Sequence, residues 1–343
     1  MTARVLRPPP FPPKPAQTTQ ERREGMGTND IGNEALGIEV WRGGVNTWEC
    51  DEMGHMNVRF YVTRAMQGLI GLAAELGMEG AFSPSAVSTL LVREQHIRFL
   101  REARPPAPMH MTATVVEMGE CDARLLLVLT HSNSGEPAAT FQTLVSHVTP
   151  RDGRLFPWPE RIRRRAAALT APVPDFASAR SIGLAPFETT ASLARADELD
   201  LVNIGSGAVV AQDCDVFGRM GLDGFIGRVS DGVPRLVSRM RGAVVEHAEA
   251  RPARAGGAVL EYRLVYLDWP RAGDRVAIRS GLAGVDSRTQ RMIHWMLDPN
   301  TGRPWGVSEA VAITLDLDAR KIVPISEAAQ AAMRGMITEG LAL

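Results

Sequence analysis

The 343-residue sequence predicts an α+β protein built twice over, each half a long apolar helix wrapped by an antiparallel sheet of about five strands. Three observations carry this. The first is an internal repeat. The segment ECDEMGHMNVRFYVTRAMQG (49–68) aligns without a gap on DCDVFGRMGLDGFIGRVSDG (213–232), placing Cys50 on Cys214, Asp51 on Asp215, Gly54 on Gly218, Met56 on Met220, Arg64 on Arg228 and Gly68 on Gly232, all at an offset of 215 − 51 = 164. Downstream, DAR at 122–124 matches DSR at 286–288 at the same offset, whereas SGEP at 134–137 meets TGRP at 301–304, and Pro157 meets Pro324, at 167. Second, each half holds one long helical pattern that is apolar on nearly all faces. Third, each helix is followed by a series of short strand-like segments and none of these series is interrupted by a further helix.

The elements follow in order. Residues 38–48 read as a strand with a bulge or bend at Gly43-Gly44. Residues 58–77 read as a helix: Val62, Met66, Leu69, Ala73 and Leu76 recur at steps of three and four, and Ala65, Ile70, Leu72 and Ala74 fill the other faces. A helix apolar all round is buried on most sides, and Gly77 marks its end. Strands are expected near 90–100, 109–118, 124–131 and 139–149; Ile97 and Phe99 alternate with His96 and Arg98, and Phe141, Thr143 and Val145 with Gln142, Leu144 and Ser146. The second half repeats the order with a strand at 207–213, a helix at 222–240, and strands near 258–268, 275–281, 289–296 and 306–315. Pro234 is expected to kink or restart the second helix, with Ser230 or Asp231 as its cap. Residues 160–169 form a short helix in this reading and 170–184 a linker. The chain thus divides into a proline-rich disordered tail at 1–35, a first domain at 36–157, a linker at 158–184, a second domain at 185–328 and a C-terminal tail at 329–343.

Composition removes several function classes. Apolar residues make up 45% and charged residues 22%, the balance of a soluble globular chain. With 38 basic against 39 acidic side chains the net charge is −1, so no bulk field draws the protein to nucleic acid or an anionic membrane. No apolar run approaches the roughly 20 residues that span a bilayer, and no signal peptide precedes the domains. Cys50, Cys121 and Cys214 are odd in number and lack C-x-x-C spacing, which fits a reducing, cytoplasmic location. The seven histidines show no metal-ligand spacing, and no glycine-rich phosphate loop follows a strand, so neither metal nor organic cofactor is expected. Arginines at 93, 98, 101 and 104, and again at 161, 163, 164 and 165, are read as solvated faces.

Chemistry concentrates at Asp51, Gly54, His55 and Asn57, between a strand and the N-terminus of the apolar helix. Free N–H groups at a helix N-terminus stabilise a developing negative charge, and glycine lets a substrate approach the backbone closely. A thioester carbonyl presented there would have its oxyanion stabilised. The plainer roles are that Asp51 caps the helix or braces the loop, that His55 only hydrogen-bonds the loop, that Asn57 caps or orients, and that Tyr61 and Phe60 are core or pocket wall.

WECDEMGHMNVRFYV (48–62) resembles the D-x-x-G-H-x-N-x-x-Y/F signature of the thioesterase superfamily, of the 4-hydroxybenzoyl-CoA and acyl-ACP thioesterase type. HIRFLREARPPAPMHMTATV (96–115), and more closely VYLDWPRAGDRVAIRS (265–280) with its Gly273-Asp274, resemble the strand that follows in that family. The similarity covers most of 38–150 and, more weakly, 186–325. It implies a tandem (double) hotdog, a pseudo-symmetric dimer in one polypeptide, with association of two such chains into a homodimer left open. It implies acyl-CoA or acyl carrier protein as substrate. It also implies that Asp51 acts as general base on water or as nucleophile, two roles open to a carboxylate, with His55 and Asn57 as catalytic partners. Gly54, Tyr61, Asp215 and Arg219 are the expected substrate-binding positions. Because a hotdog site draws on both halves, elements around 218–232 are expected beside Asp51. In the second copy Arg219 replaces His55 and Gly221 replaces Asn57, with Asp223 nearby; either that site is degenerate or Arg219 binds an anionic ligand group. Two other functions compete: a hotdog hydratase or dehydratase, disfavoured because the S/T-G-D-x-N-P-x-H string is absent, and a non-catalytic acyl-CoA-binding module.

Overall fold

The computed structural model describes residues 37–343; the proline-rich tail expected at 1–35 lies outside the described residues. In the first half, β1 (Ile38–Gly44) leads through a loop to α1 (Val58–Glu75), followed by β2 (Thr89–Phe99), β3 (Pro108–Met118), β4 (Asp122–His131) and β5 (Pro137–Val148). Two helices, α2 (Glu160–Ala168) and α3 (Leu193–Glu198), precede β6 (Val202–Ala208), α4 (Leu222–Gly232) and α5 (Pro234–Glu246). Strands β7 (Ala255–Tyr266), β8 (Arg275–Val285), β9 (Gln290–Leu297), β10 (Pro304–Asp316) and β11 (Lys321–Ile322) and helix α6 (Glu327–Arg334) complete the chain. The strands form one antiparallel sheet of order β1-β3-β4-β5-β2-β7-β10-β9-β8-β6, with β11 on β10. The architecture is that of two hotdogs sharing a sheet. Helix α1 is buried through Val62, Ala65, Leu69, Leu72 and Ala73, so its apolar faces are accounted for by the sheet that wraps it and by α4 alongside. It stops where expected, at a left-handed Gly77 with φ +83°, whose N–H reaches Ala74 O while that of Met78 reaches Ala73 O.

The duplication is written into the irregularities of the sheet. The β1–β3 ladder slips between Glu39 and Trp41, and β6–β8 between Asn203 and Gly205. The β3–β4 ladder slips between Val115 and Glu117, and β8–β9 between Leu282 and Gly284. The β2–β5 slip beyond Val92 recurs at Val259 in β7–β10, and the β4–β5 slip beyond Leu129 recurs at Met296 in β9–β10. Ahead of the helix the offset is 203 − 39 = 164; after it the offset is 282 − 115 = 167, and likewise 259 − 92 = 167. The shift of three therefore accrues between Gly232 and β7, where the helical run of the second half is longer than α1 and the loop after it is shorter. The DAR/DSR match is not an equivalence, because Ala123 pairs with Met118 where Gln290, 167 residues on, pairs with Val285.

Four local expectations are corrected. The bulge of β1 sits at Val40, since Gly43 and Gly44 pair regularly with Met109 and Pro108. The strand expected at 207–213 is Val202–Ala208, and a 3-10 turn at Ala211–Asp213 follows, as Thr47–Glu49 follows β1. Pro234 does break the second helix, but neither Ser230 nor Asp231 caps the restart. Val233 remains helical at φ −59°, ψ −26°, and its carbonyl accepts from Leu236 and Val237, so the helix bends without ending and needs no cap. Lastly, the C-terminal segment is no loose tail: α6 buries Ala329 and Met333 in a cluster with Met240 and Val244 of α5, and Leu341 packs beside Trp295.

The halves meet where β2 pairs with β7, with His96 opposite Arg263. These two residues are equivalent in the repeat (263 − 96 = 167), so the pseudo-two-fold axis passes between them. Glu94 and Glu261 are likewise equivalent, and each is bonded across the seam: Glu94 to Arg263 at 2.8 Å and Glu261 to His96 at 2.7 Å. The 170–184 stretch crosses the outside of this seam as a strap. Arg98 donates to Phe176 O and Ser178 O, Gln142 to Ala177 O, and Arg263 to Gly183 O and Ala185 O, while Glu261 accepts the N–H groups of Arg180 and Ser181. Backbone groups in the strap are thereby satisfied by charged side chains of the sheet. Among the described residues no helix is long and apolar enough to cross a membrane.

Candidate active site

The loop before each central helix has one hydrogen-bonding plan, executed twice. Asp51 N–H donates to His55 O and Gly54 N–H to Asp51 O; Asp215 N–H donates to Arg219 O and Gly218 N–H to Asp215 O. Gly54 and Gly218 take φ +78° and +74°, a turn that a side chain would strain. Glu49 binds Asn46 N–H and Arg64, and Asp213 binds Val210 N–H and Arg228. Cys50 and Cys214 both turn their thiols towards a carbonyl four residues back. Glycine, cysteine and arginine in the repeated string are therefore loop-building residues, and what differs between the copies is what the loop presents.

In the first copy, one Asp51 oxygen is held by the Met53 N–H at 2.9 Å and the His55 N–H at 3.4 Å. The other makes no hydrogen bond to a described residue. Asn57 caps α1, accepting from Arg59 N–H at 3.0 Å, and its amide donates to Ser230 Oγ of α4 at 3.2 Å. Arg59 in turn pairs with Asp223 at 2.9 Å, the residue equivalent to itself (223 − 59 = 164). The second half therefore does stand beside the Asp51 loop. His55 is buried at 8% exposure, and its Nε2 accepts from Arg104 at 2.9 Å and lies 3.4 Å from Arg320 and from Glu102. Burial, then the Arg104 charge, lower the His55 pKa against a weaker opposing pull from Asp51, which leaves the ring neutral near pH 7. Tyr61 is core: its hydroxyl accepts the Ala103 N–H at 3.1 Å, its ring meets Phe99 edge-on, and burial pushes its pKa up to about 12.

A cavity of about 770 Å³ opens at this loop. Asp51, His55, Asn57, Val58 and Tyr61 line it from the first half, with Glu102 beside them. Nearly all the rest of its wall belongs to the second half: Ile226, Val229 and Ser230 of α4, Val237 and Arg241 of α5, and inward residues of β7, β9 and β10 such as Tyr262, Met292, His294, Ala310 and Ala312. Gly54 is exposed and faces open space, off the cavity wall. Asp215 and Arg219 are not on this cavity either. The Arg219 guanidinium binds the Pro150 carbonyl and packs over Phe217, and Asp215 accepts the Phe217 and Arg219 N–H groups.

Two residues that sequence reasoning passed over belong here. Glu102 holds both Arg104, at 3.2 Å, and Arg320. Arg320 comes from the β10–β11 turn, 265 residues from His55, and has a left-handed backbone, φ +55°. Its equivalent in the first half is Gly153, φ +67° (320 − 153 = 167). Each turn thus covers the other half's loop. At one end the loop supplies the cation, Arg219 to Pro150 O; at the other the turn supplies it, Arg320 to His55. A side chain in a conformation that favours glycine is a mark of a functional position. Among the described residues no three His, Cys, Asp or Glu side chains are grouped to hold a metal.

The sequence profile of the Thioesterase-like superfamily matches residues 45–166 and again 209–333, one match per half. No curated protein is significantly similar in sequence. Among solved structures, a protein described as an oleoyl thioesterase from Lactobacillus plantarum is 12% identical, superposes with a TM-score of 0.61, and is matched over 81% of this chain and 97% of its own. The 12:0-ACP thioesterase of Umbellularia californica, also 12% identical, gives 0.59 over 83% and 97%. An acyl-ACP thioesterase of Bacteroides thetaiotaomicron, at 9% identity, gives 0.57 over 79% and 96%. At such identities these likenesses speak for the fold. With the profile matched in both halves, over more than two thirds of its length, the chain belongs to the thioesterase-like superfamily as a tandem hotdog.

Proposed function

We propose that the protein hydrolyses an acyl thioester of coenzyme A or of an acyl carrier protein, with Asp51 as general base. The observation that carries this is the cavity: a largely apolar chamber of a size suited to an acyl group, opening on a carboxylate with one oxygen pinned and the other uncommitted. The thioester carbonyl sits at the start of α1, where Val58 lines the wall and its N–H makes no hydrogen bond to a described residue, those of Arg59 and Phe60 being taken by Asn57. Asp51 takes a proton from water as its oxygen attacks the carbonyl carbon. The oxyanion collapses, the carbon–sulfur bond breaks, and the thiolate leaves and is protonated. Neutral His55, with Nε2 filled by arginine donors, serves as an orienting acceptor for Arg104 and Arg320. Asn57 spends both ends of its amide on the α1 cap and on Ser230, so it ties the halves together at the site.

Thiol release from a chain-length series of acyl-CoAs and acyl carrier proteins tests the reading. Wild type should turn over, and Asp51→Asn should lose about 10²–10⁴-fold in kcat while keeping its melting temperature. Absence of hydrolysis across both series, or an Asp51→Asn variant of full activity, would overturn it. Single turnover in ¹⁸O-labelled water tests for the nucleophile: label in Asp51 would establish an anhydride intermediate, whereas general-base attack by water puts all of it in the acid product.

A further inference from the structure

The second half carries a polar rung inside a wall that the first half keeps apolar. Ser280 on β8, His294 on β9 and Ser308 on β10 lie directly opposite one another on adjacent strands. All three are buried. Ser280 Oγ bonds His294 Nδ1 at 2.8 Å, and Tyr262 OH bonds Ser308 Oγ at 3.2 Å with its ring nearly parallel to that of His294. The repeat supplies a control for what the fold itself requires. Subtracting 167 gives Ala113, Leu127 and Phe141, three core side chains packed with α1. An apolar rung suffices there, so the polar one is no demand of the architecture. Burying such groups costs free energy unless each finds a partner.

His294 is where the rung meets the cavity. It lines the same chamber as Asp51 and His55, as does Tyr262, while Ser280 and Ser308 stand behind them, each bonded to one of the two. Its Nδ1 is taken by Ser280, whereas Nε2 makes no hydrogen bond to a described residue. Complete burial drops its pKa to about 3, so the ring stays uncharged at physiological pH and offers a single neutral hydrogen bond. A carboxylate or ammonium would find no counter-charge at this rung, whereas a hydroxyl or keto oxygen fits. A plain hydrocarbon chain would leave Nε2 unpaired.

We propose that the Ser280–His294–Ser308 rung, with Tyr262, is the specificity element of the acyl chamber and selects acyl chains that bear a hydroxyl or keto oxygen. This rests on the thioesterase reading and adds the class of acyl group to it. A site built to hydrogen-bond a substrate oxygen discriminates against the analogue lacking it far more strongly than an apolar pocket discriminates one methylene.

The test compares octanoyl-CoA with octanoyl-CoAs hydroxylated or oxidised to ketones at successive carbons, using wild type, His294→Leu, which installs the residue of the first half, and His294→Gln. Wild type should prefer at least one oxygenated chain by about tenfold or more in kcat/KM. His294→Leu should lose that preference through a fall in kcat/KM for the oxygenated chain, and His294→Gln should retain part of it. A wild type indifferent to the oxygen at every position, or a preference unchanged in His294→Leu, overturns the proposal and leaves the rung a buried structural network. If wild type hydrolyses none of these octanoyl-CoAs, that result bears on the thioesterase reading and its choice of thiol carrier, and binding takes the place of turnover. Calorimetric titration of octanoic acid against the hydroxyoctanoic acids then decides the rung alone: a preference for the oxygenated acid that His294→Leu abolishes supports it, and its absence rejects it.

Discussion

Single residues set the chemistry, and Arg320 is, with Asp200, one of two non-glycine residues among those described that hold a left-handed backbone. A left-handed backbone disfavours a residue with a Cβ by about 1–2 kcal/mol, yet the turn that has Gly153 in the first half has arginine in the second. Replacing it with glycine relieves that strain but frees the unfolded chain, two effects of similar size. Arg320→Gly is therefore expected to move the melting temperature by only a few degrees while kcat/KM falls about tenfold, the worth of one charged hydrogen bond. Unchanged kinetics would remove Arg320 from the site. The buried His294 makes a second prediction. Below its ordinary pKa of 6.5 the unfolded chain takes up a proton that the folded ring refuses until about pH 3. Its contribution to stability is thus complete above pH 6.5 and is lost as pH falls, at up to about 1.4 kcal/mol per pH unit. His294→Leu should flatten the decline between pH 6.5 and 4.5 in urea unfolding; an identical slope would contradict it. Burial lowers the pKa values of His55, His131 and His147 too, so a residual slope remains. The sequence motif pointed to Asp51, His55 and Asn57 because they are contiguous in the chain. Glu102, Arg320 and His294 carried no such signal: their partners are non-local, and an arginine or histidine in a strand-rich segment reads as surface or core.

Elements set the chamber, and here legibility followed periodicity. The first central helix announces itself by three-and-four spacing and several of the strands by alternation, although strands such as β2, β5 and β10 are buried on both faces. The short β6 was misplaced, since it is mostly exposed and its Val202, Asn203, Gly205 and Ser206 give no alternation. The offset of 164 was extended too far because DAR opens β4 whereas DSR lies in the β8–β9 turn, so a short likeness joined residues in different structural places. Pro234 was legible, and its consequence is spatial. It lacks an N–H, so the helical run kinks where α4 passes into α5, and Pro234, Val237 and Arg241 border the cavity. Pro234→Ala restores the missing backbone bond. It should raise the melting temperature by a few degrees and shift the chain-length optimum of kcat/KM towards shorter acyl groups. A profile that does not move would show that the bend is incidental to the chamber.

At the scale of the whole molecule, the duplication gives one asymmetric candidate site in a symmetric frame. The frame is held at the seam, where Glu94–Arg263 and His96–Glu261 flank the pseudo-two-fold axis, all four side chains within a tenth of full burial. The pairing could not be read from the sequence, because these polar residues alternate with apolar ones as a solvated strand face does, and only the strap over them makes that face interior. A buried ion pair adds little net stability against an apolar pair of similar size, but removing one member strands the other charge, at about 3–5 kcal/mol. Arg263→Met should therefore destabilise strongly, and Glu94→Leu in the same chain should recover much of the loss. Recovery cannot be complete, since Arg263 also donates to Gly183 O and Ala185 O and stacks on Phe187, contacts that fix the strap. A double-mutant cycle by urea unfolding measures the coupling, and hydrogen exchange at 176–187 reads the strap separately. If the double variant is no more stable than Arg263→Met alone, the seam owes its strength to the strap anchors, with the ion pair secondary; if exchange in the strap stays slow in both variants, the backbone bonds to Arg98, Gln142 and Glu261 hold it without Arg263.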